Sequence, residues 1–170
     1  MPHPERRVKA AAFRPIIGWR EWLRLPDLRV DFIKAKVDTG ARTSSLHAYD
    51  LMEFDRGGTA WVRFIIHPEQ RHSEPSIPAE LPVHARRRVR DSGGKVELRP
   101  VVQTSVELLG KLWRIELTLT RRDAMGFRML LGRQAIRNRF VVDPGGSFYG
   151  GKRRKKGRPD HRHSDSLKTP

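Results

Sequence analysis

The tripeptide Asp38-Thr39-Gly40, followed by Ala41, has the clearest potential for chemistry in this sequence. A carboxylate can activate water when it lies in a partly dry groove beside a second carboxylate, because the pair then shares one proton. Thr39 supplies a hydroxyl that can lock the surrounding loop, and Gly40, which has no Cβ, permits close backbone approach. The same tripeptide is also a common turn, since Asp and Gly both favour turns. Its surroundings must decide between the two interpretations.

The residues before Asp38 alternate as a half-buried strand does. Ile33, Ala35 and Val37 fall on one face, and lysines occupy the positions between them. This pattern predicts a strand that ends at Asp38. The carboxylate is therefore expected in a loop at the end of a buried strand, which favours the chemical interpretation over the ordinary turn.

The rest of the chain also has the period of two that is typical of strands. The turn Leu109-Gly110-Lys111 predicts a hairpin that joins residues 101–108 to the next strand. Only residues 133–139 look helical, and residues 68–80, with three prolines, are interpreted as a surface loop. Many short strands and one short helix predict an all-β barrel or sandwich. Apolar residues alternate with other residues in two further segments. Their apolar positions are Val62, Phe64 and Ile66 in the first, and Trp113, Ile115, Leu117 and Leu119 in the second.

Composition narrows the classes of protein and of partner. The chain of 170 residues has 35 Lys and Arg against 19 Asp and Glu, a formal net charge of +16, so attraction to polyanions is expected. The absence of cysteine excludes disulfides, thiolate metal sites and cysteine nucleophiles. No apolar run approaches the roughly 20 residues of a membrane span. We expect a cytoplasmic protein without membrane contact.

Three segments are predicted along the chain. Residues 1–15 form a flexible N-terminal arm, residues 16–150 form one folded domain, and residues 151–170 form a disordered basic tail. The tail has eight Lys or Arg and two Asp, a charge of +6, so the remainder keeps 16 − 6 = +10. The folded part is therefore basic in its own right.

Seven ordered blocks together resemble the bacterial family named ATP-dependent zinc proteases, over about residues 16–150. That family is similar in fold to retropepsins, the single-lobe aspartic proteases, so the resemblance implies a retropepsin-like closed barrel. The blocks are Gly18-Trp19-Arg20-Glu21-Trp22, residues 36–48, Trp61-Val62-Arg63-Phe64, His67-Pro68, residues 116–120, residues 129–133 and Val142-Asp143-Pro144.

The resemblance implies an activity and a partner. Asp38, Thr39 and Gly40 would be catalytic, in an aspartic dyad that two copies of the chain form as a homodimer. The second retropepsin landmark appears as Leu130-Leu131-Gly132-Arg133. Family members often accompany an ATP-grasp ligase that adds glutamates to a small-subunit ribosomal protein. An acidic peptide or glutamylated protein tail is therefore the implied substrate.

Ala41 and several arginines are the candidate substrate-binding residues. Retroviral enzymes usually have an acidic residue where this chain has Arg42, and it pairs with the arginine that corresponds to Arg133. Here both residues are cationic, so either Arg133 pairs elsewhere or its role has changed. Two guanidinium groups near the cleft would favour carboxylates, although Arg42 could equally be a solvated loop residue. Further candidates, on the hairpin that falls at the flap position, are Arg87, Arg88 and Arg90.

The sequence gives no basis for a metal or a nucleotide. No Gly-x-x-x-x-Gly-Lys-Ser/Thr loop occurs, and no His-Glu-x-x-His occurs. His47 and His67 could each be a ligand beside Asp38, but a surface or hydrogen-bonded histidine is the more frequent case. We therefore predict no cofactor and no metal ligands.

Several alternatives remain open. Asp91-Ser92-Gly93 could supply a second carboxylate within one chain, although its polar surroundings favour a plain hairpin turn. The basic tail and the tryptophans are compatible with a ribosome- or RNA-binding protein that has a protease-like fold without catalysis. A protein that only binds peptides and a zinc-dependent peptidase, as the family name implies, are the other two possibilities.

Overall fold

A computed structural model of the protein describes residues 13–70, 72–90, 93–121 and 126–151. Most of the arm and tail calls, residues 1–12 and 152–170, therefore lie outside the described residues. The elements are β1 (Ile16–Gly18), β2 (Arg20–Leu25), a 3-10 helix (Pro26–Leu28), β3 (Val30–Asp38), β4 (Ser44–His47), β5 (Tyr49–Arg56), β6 (Thr59–Ile66), β7 (Ile77–Pro82), β8 (Ala85–Arg90), β9 (Val96–Leu108), β10 (Lys111–Thr120), β11 (Met129–Gly132), α1 (Arg133–Ile136) and β12 (Val141–Asp143). The all-β prediction is confirmed.

The main sheet has seven strands in the order β10-β4-β11-β3-β2-β9-β8. Because β9 also pairs with β10, the strands from β10 to β9 close into a ring, and β8 extends from β9 outside it. The closure between β2 and β9 has a single register pair, Arg24 with Glu107. Two smaller sheets complete the fold: β1 pairs with β12, and β5, β6 and β7 form a three-stranded sheet.

The core lies where the alternating sequence patterns predict it. Ile33, Ala35 and Val37 of β3 are buried, and so is every second residue of β6 from Val62 to Ile66. On β10 the predicted face is buried from Ile115 onward, whereas Trp113 is only partly buried against this core. Apolar burial on this face of each strand is what holds β3 in place, and β3 in turn positions Asp38.

The β9–β10 hairpin is confirmed, and its turn chemistry explains it. Leu109 and Gly110 have φ of 52° and 70°. Positive φ at both central residues is the geometry of a two-residue type I′ turn, which matches the twist of the flanking strands. Lys111 consequently pairs with Leu108 and starts a long antiparallel ladder.

Two local expectations were wrong. The proposed loop over residues 68–80 ends earlier, because β7 begins at Ile77 and pairs with Ile66 of β6. Its prolines are tolerated because β7 is an edge strand. The helix ends at Ile136 instead of reaching residue 139, because Arg137 has a non-helical ψ of 132° and Asn138 then takes a left-handed φ of 66°.

No helix among the described residues is both long enough and apolar enough to cross a membrane.

Candidate active site

Asp38 is the last residue of β3, and its carboxylate is fixed by its own loop. Oδ1 accepts hydrogen bonds from the backbone N–H groups of Gly40, at 3.1 Å, and Ala41, at 3.0 Å. The side chain is half-buried, and within the described residues it forms no ion pair. Oδ2 has no hydrogen-bond partner in this part of the chain. One oxygen is therefore held by the backbone while the other remains available for chemistry.

β11 supports this loop from behind. Gly132 lies opposite Asp38 in the parallel pairing of β11 with β3, and its N–H donates to Ser44 Oγ at 3.0 Å. A Cβ at Gly132 would lie 2.4 Å from the carbonyl carbon of Thr43, so only glycine fits this position. The Leu-Leu-Gly-Arg segment thus packs directly against the Asp38 loop.

α1 begins on the same loop and binds it through both backbone and side chain. The N–H groups of Arg133 and Gln134 donate to the carbonyl oxygens of Ala41, at 2.8 Å, and Arg42, at 3.0 Å. Arg133 Nη1 also donates to the carbonyl oxygen of Thr39 at 3.1 Å. The missing acidic partner of Arg133 is therefore replaced by backbone carbonyls, and its charge organises the loop.

The remaining predicted residues of this loop face solvent. Thr39, Gly40 and Arg42 are exposed, and Ala41 is half-buried. Within the described residues, only the backbone carbonyl of Arg42 takes part in a hydrogen bond, and its guanidinium group forms no ion pair. This edge of the Asp38 loop is therefore accessible from solvent.

The predicted flap arginines lie on β8, which two strands, β2 and β9, separate from β3 in the sheet order. Arg88 and Arg90 are exposed and share one face. Arg87 lies on the opposite face, where its Nη2 forms an ion pair with Glu116 Oε2 at 2.5 Å. The structure thus separates Arg87 from the other two arginines.

His47 and His67 do not lie beside Asp38 as ligands. Both rings instead contact the ring of Tyr49. Their ring centroids lie 4.3 Å and 4.4 Å from that of Tyr49, whose hydroxyl accepts a hydrogen bond from Arg128. Among the described residues there is no group of three or more side chains that could hold a metal ion. The other open alternative, at Asp91 and Ser92, lies outside the described residues.

Sequence reasoning missed the role of Glu21, which is fully buried. Its Oε1 accepts from the N–H groups of Gly18, at 2.7 Å, and Tyr149, at 2.9 Å, and its Oε2 accepts from that of Gly150 at 3.2 Å. This carboxylate therefore fastens the C-terminal segment of the domain to β2. A signal was present, because Glu21 shares the core-facing period of β2 with Leu23 and Leu25.

A second acidic group acts within the same C-terminal segment. The hydroxyl of Tyr149 donates to Asp143 Oδ2, and the backbone N–H groups of Gly145 and Gly146 add to this, so the pKa of Asp143 is lowered from its ordinary value. The same hydrogen bond raises the pKa of Tyr149, because the carboxylate favours the protonated phenol. The hydrogen bond between Asp143 and Tyr149 thus joins the two ends of the segment 143–149.

Comparison with known proteins places this geometry in a family. The family described as "RimB-like: Retropepsin-like aspartic endopeptidase RimB" matches residues 16–153. The chain belongs to the RimB-like family. This confirms the retropepsin-like fold expected from the sequence.

RimB-like sequences also occur within longer proteins. The chain is 48% identical over 133 residues to a protein of Shewanella halifaxensis named "Probable alpha-L-glutamate ligase", a match that covers 78% of this chain and 29% of that protein. A protein of Desulfotalea psychrophila with the same name is 46% identical over 131 residues, 77% of this chain and 28% of its own length. The chain thus spans under a third of the length of these relatives.

A solved structure has the same RimB-like architecture. A crystal structure of a Legionella pneumophila protein with unknown function superposes with a TM-score of 0.68 at 29% sequence identity. It covers 81% of this chain and 99% of that chain.

Proposed function

We propose that this RimB-like protein is an aspartic peptidase that works as a homodimer and cleaves acidic, glutamate-rich peptide tails. The observation that carries the proposal is the fixed Asp38 carboxylate, with Oδ1 held by the N–H groups of Gly40 and Ala41 and Oδ2 without a hydrogen bond to any described residue. A single such carboxylate cannot be base and acid at once, so the mechanism needs its twin from a second copy.

The mechanism follows from two Asp38 groups that share one proton. The ionised carboxylate accepts a proton from water, whose oxygen attacks the peptide carbonyl carbon while the protonated carboxyl donates to the carbonyl oxygen. The tetrahedral diol then collapses, the C–N bond breaks and the leaving nitrogen takes a proton from the dyad. Because two like charges about 3 Å apart cannot persist together, the pair titrates as a unit.

The two-stranded sheet of β1 and β12 is the candidate dimer surface. Ile16 and Val141 are register partners, and their side chains are 49% and 51% exposed. Among the described residues each strand pairs only with the other, so both have an open edge. Exposed apolar side chains beside unpaired backbone groups are what strand pairing between two copies would bury.

Charge and the relatives support the substrate class. The formal net charge of +16 attracts acidic peptides, and the exposed guanidinium groups of Arg88 and Arg90 can bind carboxylates in a bidentate manner. Relatives named "Probable alpha-L-glutamate ligase" contain a segment similar to this chain. A peptidase for glutamate-bearing tails would act on the kind of product that such a ligase makes.

Mass spectrometry of a poly-glutamylated peptide incubated with the protein tests the proposal. We expect shortened peptides with the wild type and a loss of at least about 1000-fold in rate with Asp38→Asn, because the dyad then lacks its base. Asp31→Asn, an exposed aspartate on the same strand, should leave the rate unchanged. Parallel reactions contain EDTA or a pepstatin-type inhibitor. Cleavage that survives Asp38→Asn and disappears with EDTA would replace the proposal with a metal-dependent reaction.

A further inference from the structure

A cleft separate from the Asp38 loop opens beside β2 and β3. It has a volume of about 580 Å³, and three half-buried aromatic rings and two cations line it. None of the residues of the Asp38 loop contributes to its lining. We call it the aromatic cleft and define it by Trp19, Arg20, Trp22, Lys34 and Phe127. The rest of its lining consists of Glu69, Gln70, His72 and Gly126.

Phe148, which does not itself line the aromatic cleft, holds two of its residues, Arg20 and Trp22, in one stacked series. The guanidinium group of Arg20 lies between the rings of Trp19, at 4.6 Å, and Phe148, at 5.0 Å. Phe148 in turn stacks on Trp22 with 5.9 Å between centroids and 21° between planes. Such a series holds the indole planes rigid, so that a planar ligand meets preformed stacking surfaces.

The chain holds Phe148 in this series at the cost of backbone strain. Its φ is 60°, a left-handed conformation that bulky residues rarely adopt. Its N–H donates to the carbonyl oxygen of Arg20 at 3.0 Å, and the buried Glu21 binds the N–H groups of the next two residues. Strained residues that the surrounding structure over-determines cluster at ligand sites. The aromatic cleft is therefore a built feature of the fold.

The chemistry of the lining selects one class of ligand. Aromatic faces bind planar π systems, and Arg20 and Lys34 add two positive charges beside them, against the one carboxylate of Glu69. A glutamate-rich peptide offers negative charge but no ring, so it would leave the aromatic faces unused. Single-stranded nucleic acid offers both, with a base for each ring and a phosphate for each cation.

We propose that the aromatic cleft binds single-stranded nucleic acid, with bases stacked on Trp19 and Trp22 and phosphates beside Arg20 and Lys34. This site goes beyond the peptidase proposal and does not depend on it. It also lies within the folded domain, separate from any binding by the basic tail.

Binding of short oligomers to the full chain tests the proposal by fluorescence anisotropy. The probes are an octameric oligouridylate, the corresponding oligothymidylate and an abasic octamer with the same phosphate charge. Trp22→Leu should weaken binding of the two base-bearing oligomers about tenfold and leave binding of the abasic octamer unchanged, because only a stacked base is lost. Lys34→Gln should lower the slope of log affinity against log salt by about 0.7. If Trp22→Leu weakens binding of the oligouridylate more than binding of the oligothymidylate, the cleft prefers RNA, and the reverse result shows that it prefers DNA.

Matched variants separate the cleft from general electrostatics. Trp61 is also covered by an arginine, Arg56 at 4.2 Å, but it lies in the β5–β7 sheet outside the cleft. Trp61→Leu should therefore leave the affinity for all three oligomers unchanged. Arg137→Gln, an exposed arginine outside the cleft, is the control for charge. If Trp22→Leu does not fold, cross-linking of 5-iodouridine oligomers to the wild type, mapped by mass spectrometry, should label Trp19, Trp22 or Phe127.

Three results would overturn the proposal. One is equal affinity for the abasic and the base-bearing octamers. Another is labelling confined to other parts of the chain. The third is a Trp22→Leu variant that loses affinity for a hexaglutamate peptide but not for the oligomers, which would make the cleft a peptide subsite.

Discussion

Asp38 and Glu21 both accept hydrogen bonds from backbone N–H groups, and the difference between the two carboxylates bears on which of them can do chemistry. Asp38 receives two such bonds on Oδ1 alone, so Oδ2 is left for a reaction. Glu21 receives bonds on both oxygens and is fully buried, so it has no capacity left for a substrate. We therefore propose Asp38, and not Glu21, as the reactive group, since among the described residues only Asp38 of these two keeps a carboxylate oxygen without a hydrogen bond.

Replacement of Glu21 by Gln should destabilise the folded protein. The amide places an N–H donor where backbone N–H groups need an acceptor, and we expect a loss of about 2 to 3 kcal/mol in the free energy of unfolding. Urea denaturation measures it. Glu107→Gln, whose carboxylate forms an exposed ion pair with Arg24 at 3.0 Å, should cost less than about 1 kcal/mol. Equal losses for the two variants would contradict the role of Glu21.

The Asp143–Tyr149 pair should make stability depend on pH at both extremes. The lowered pKa of Asp143 gives stability above its ordinary value, which is lost as pH falls through the lowered pKa. The raised pKa of Tyr149 gives stability below its ordinary value, which is lost as pH rises through the raised pKa. The difference in unfolding free energy between wild type and Tyr149→Phe should therefore be constant from about pH 5 to about pH 9 and shrink outside that range.

Urea denaturation of both proteins across pH provides the measurement for this pair. A difference that does not change with pH would show that the hydroxyl acts only through packing.

Among the strands, β11 has the most demanding position, because it lies against both β3 and β4 behind the Asp38 loop. Gly132→Ala should cost about 3 kcal/mol in unfolding free energy and also reduce peptidase activity, because a Cβ there would overlap the backbone of Thr43 and displace the loop. Thermal unfolding and the peptide assay measure the two effects. Gly145→Ala, whose Cβ would approach only the Asp143 side chain at 3.4 Å, is the matched control. A Gly132→Ala variant as stable and active as wild type would contradict this arrangement.

The elements that the sequence predicts well are those whose pattern records local burial. β3, β6 and β10 alternate because one face packs on the core, and Leu109-Gly110 determines its own turn. The sequence analysis missed β7 because its residues become a strand only by pairing with β6, and Pro78 and Pro82 within it are typical of loops.

The same limit applies to the candidate site. The position of Asp38 at a strand end follows from the alternation before it. The partner of Arg133, however, is the carbonyl oxygen of Thr39, and a backbone acceptor distant in sequence leaves no trace in residue types.

Association of two copies is the feature on which the proposed catalysis depends. Ile16→Glu should raise the dimer dissociation constant at least about tenfold, since it would place a charge in an apolar contact. Sedimentation and the dependence of specific activity on protein concentration measure this. Leu112→Glu, at another exposed apolar position on β10, should have no effect. A fully active monomer would instead favour a second carboxylate from the same chain, at Asp91.

The attachment of the C-terminal segment to β2 also places the last described residues beside the aromatic cleft. Gly151 follows Phe148 by three positions, and Phe148 stacks on Trp22 with 5.9 Å between ring centroids. Glu21 binds the N–H groups of Tyr149 and Gly150, which lie between these two residues. A change at Glu21 should therefore alter the fluorescence of the Trp22 ring as well as the free energy of unfolding.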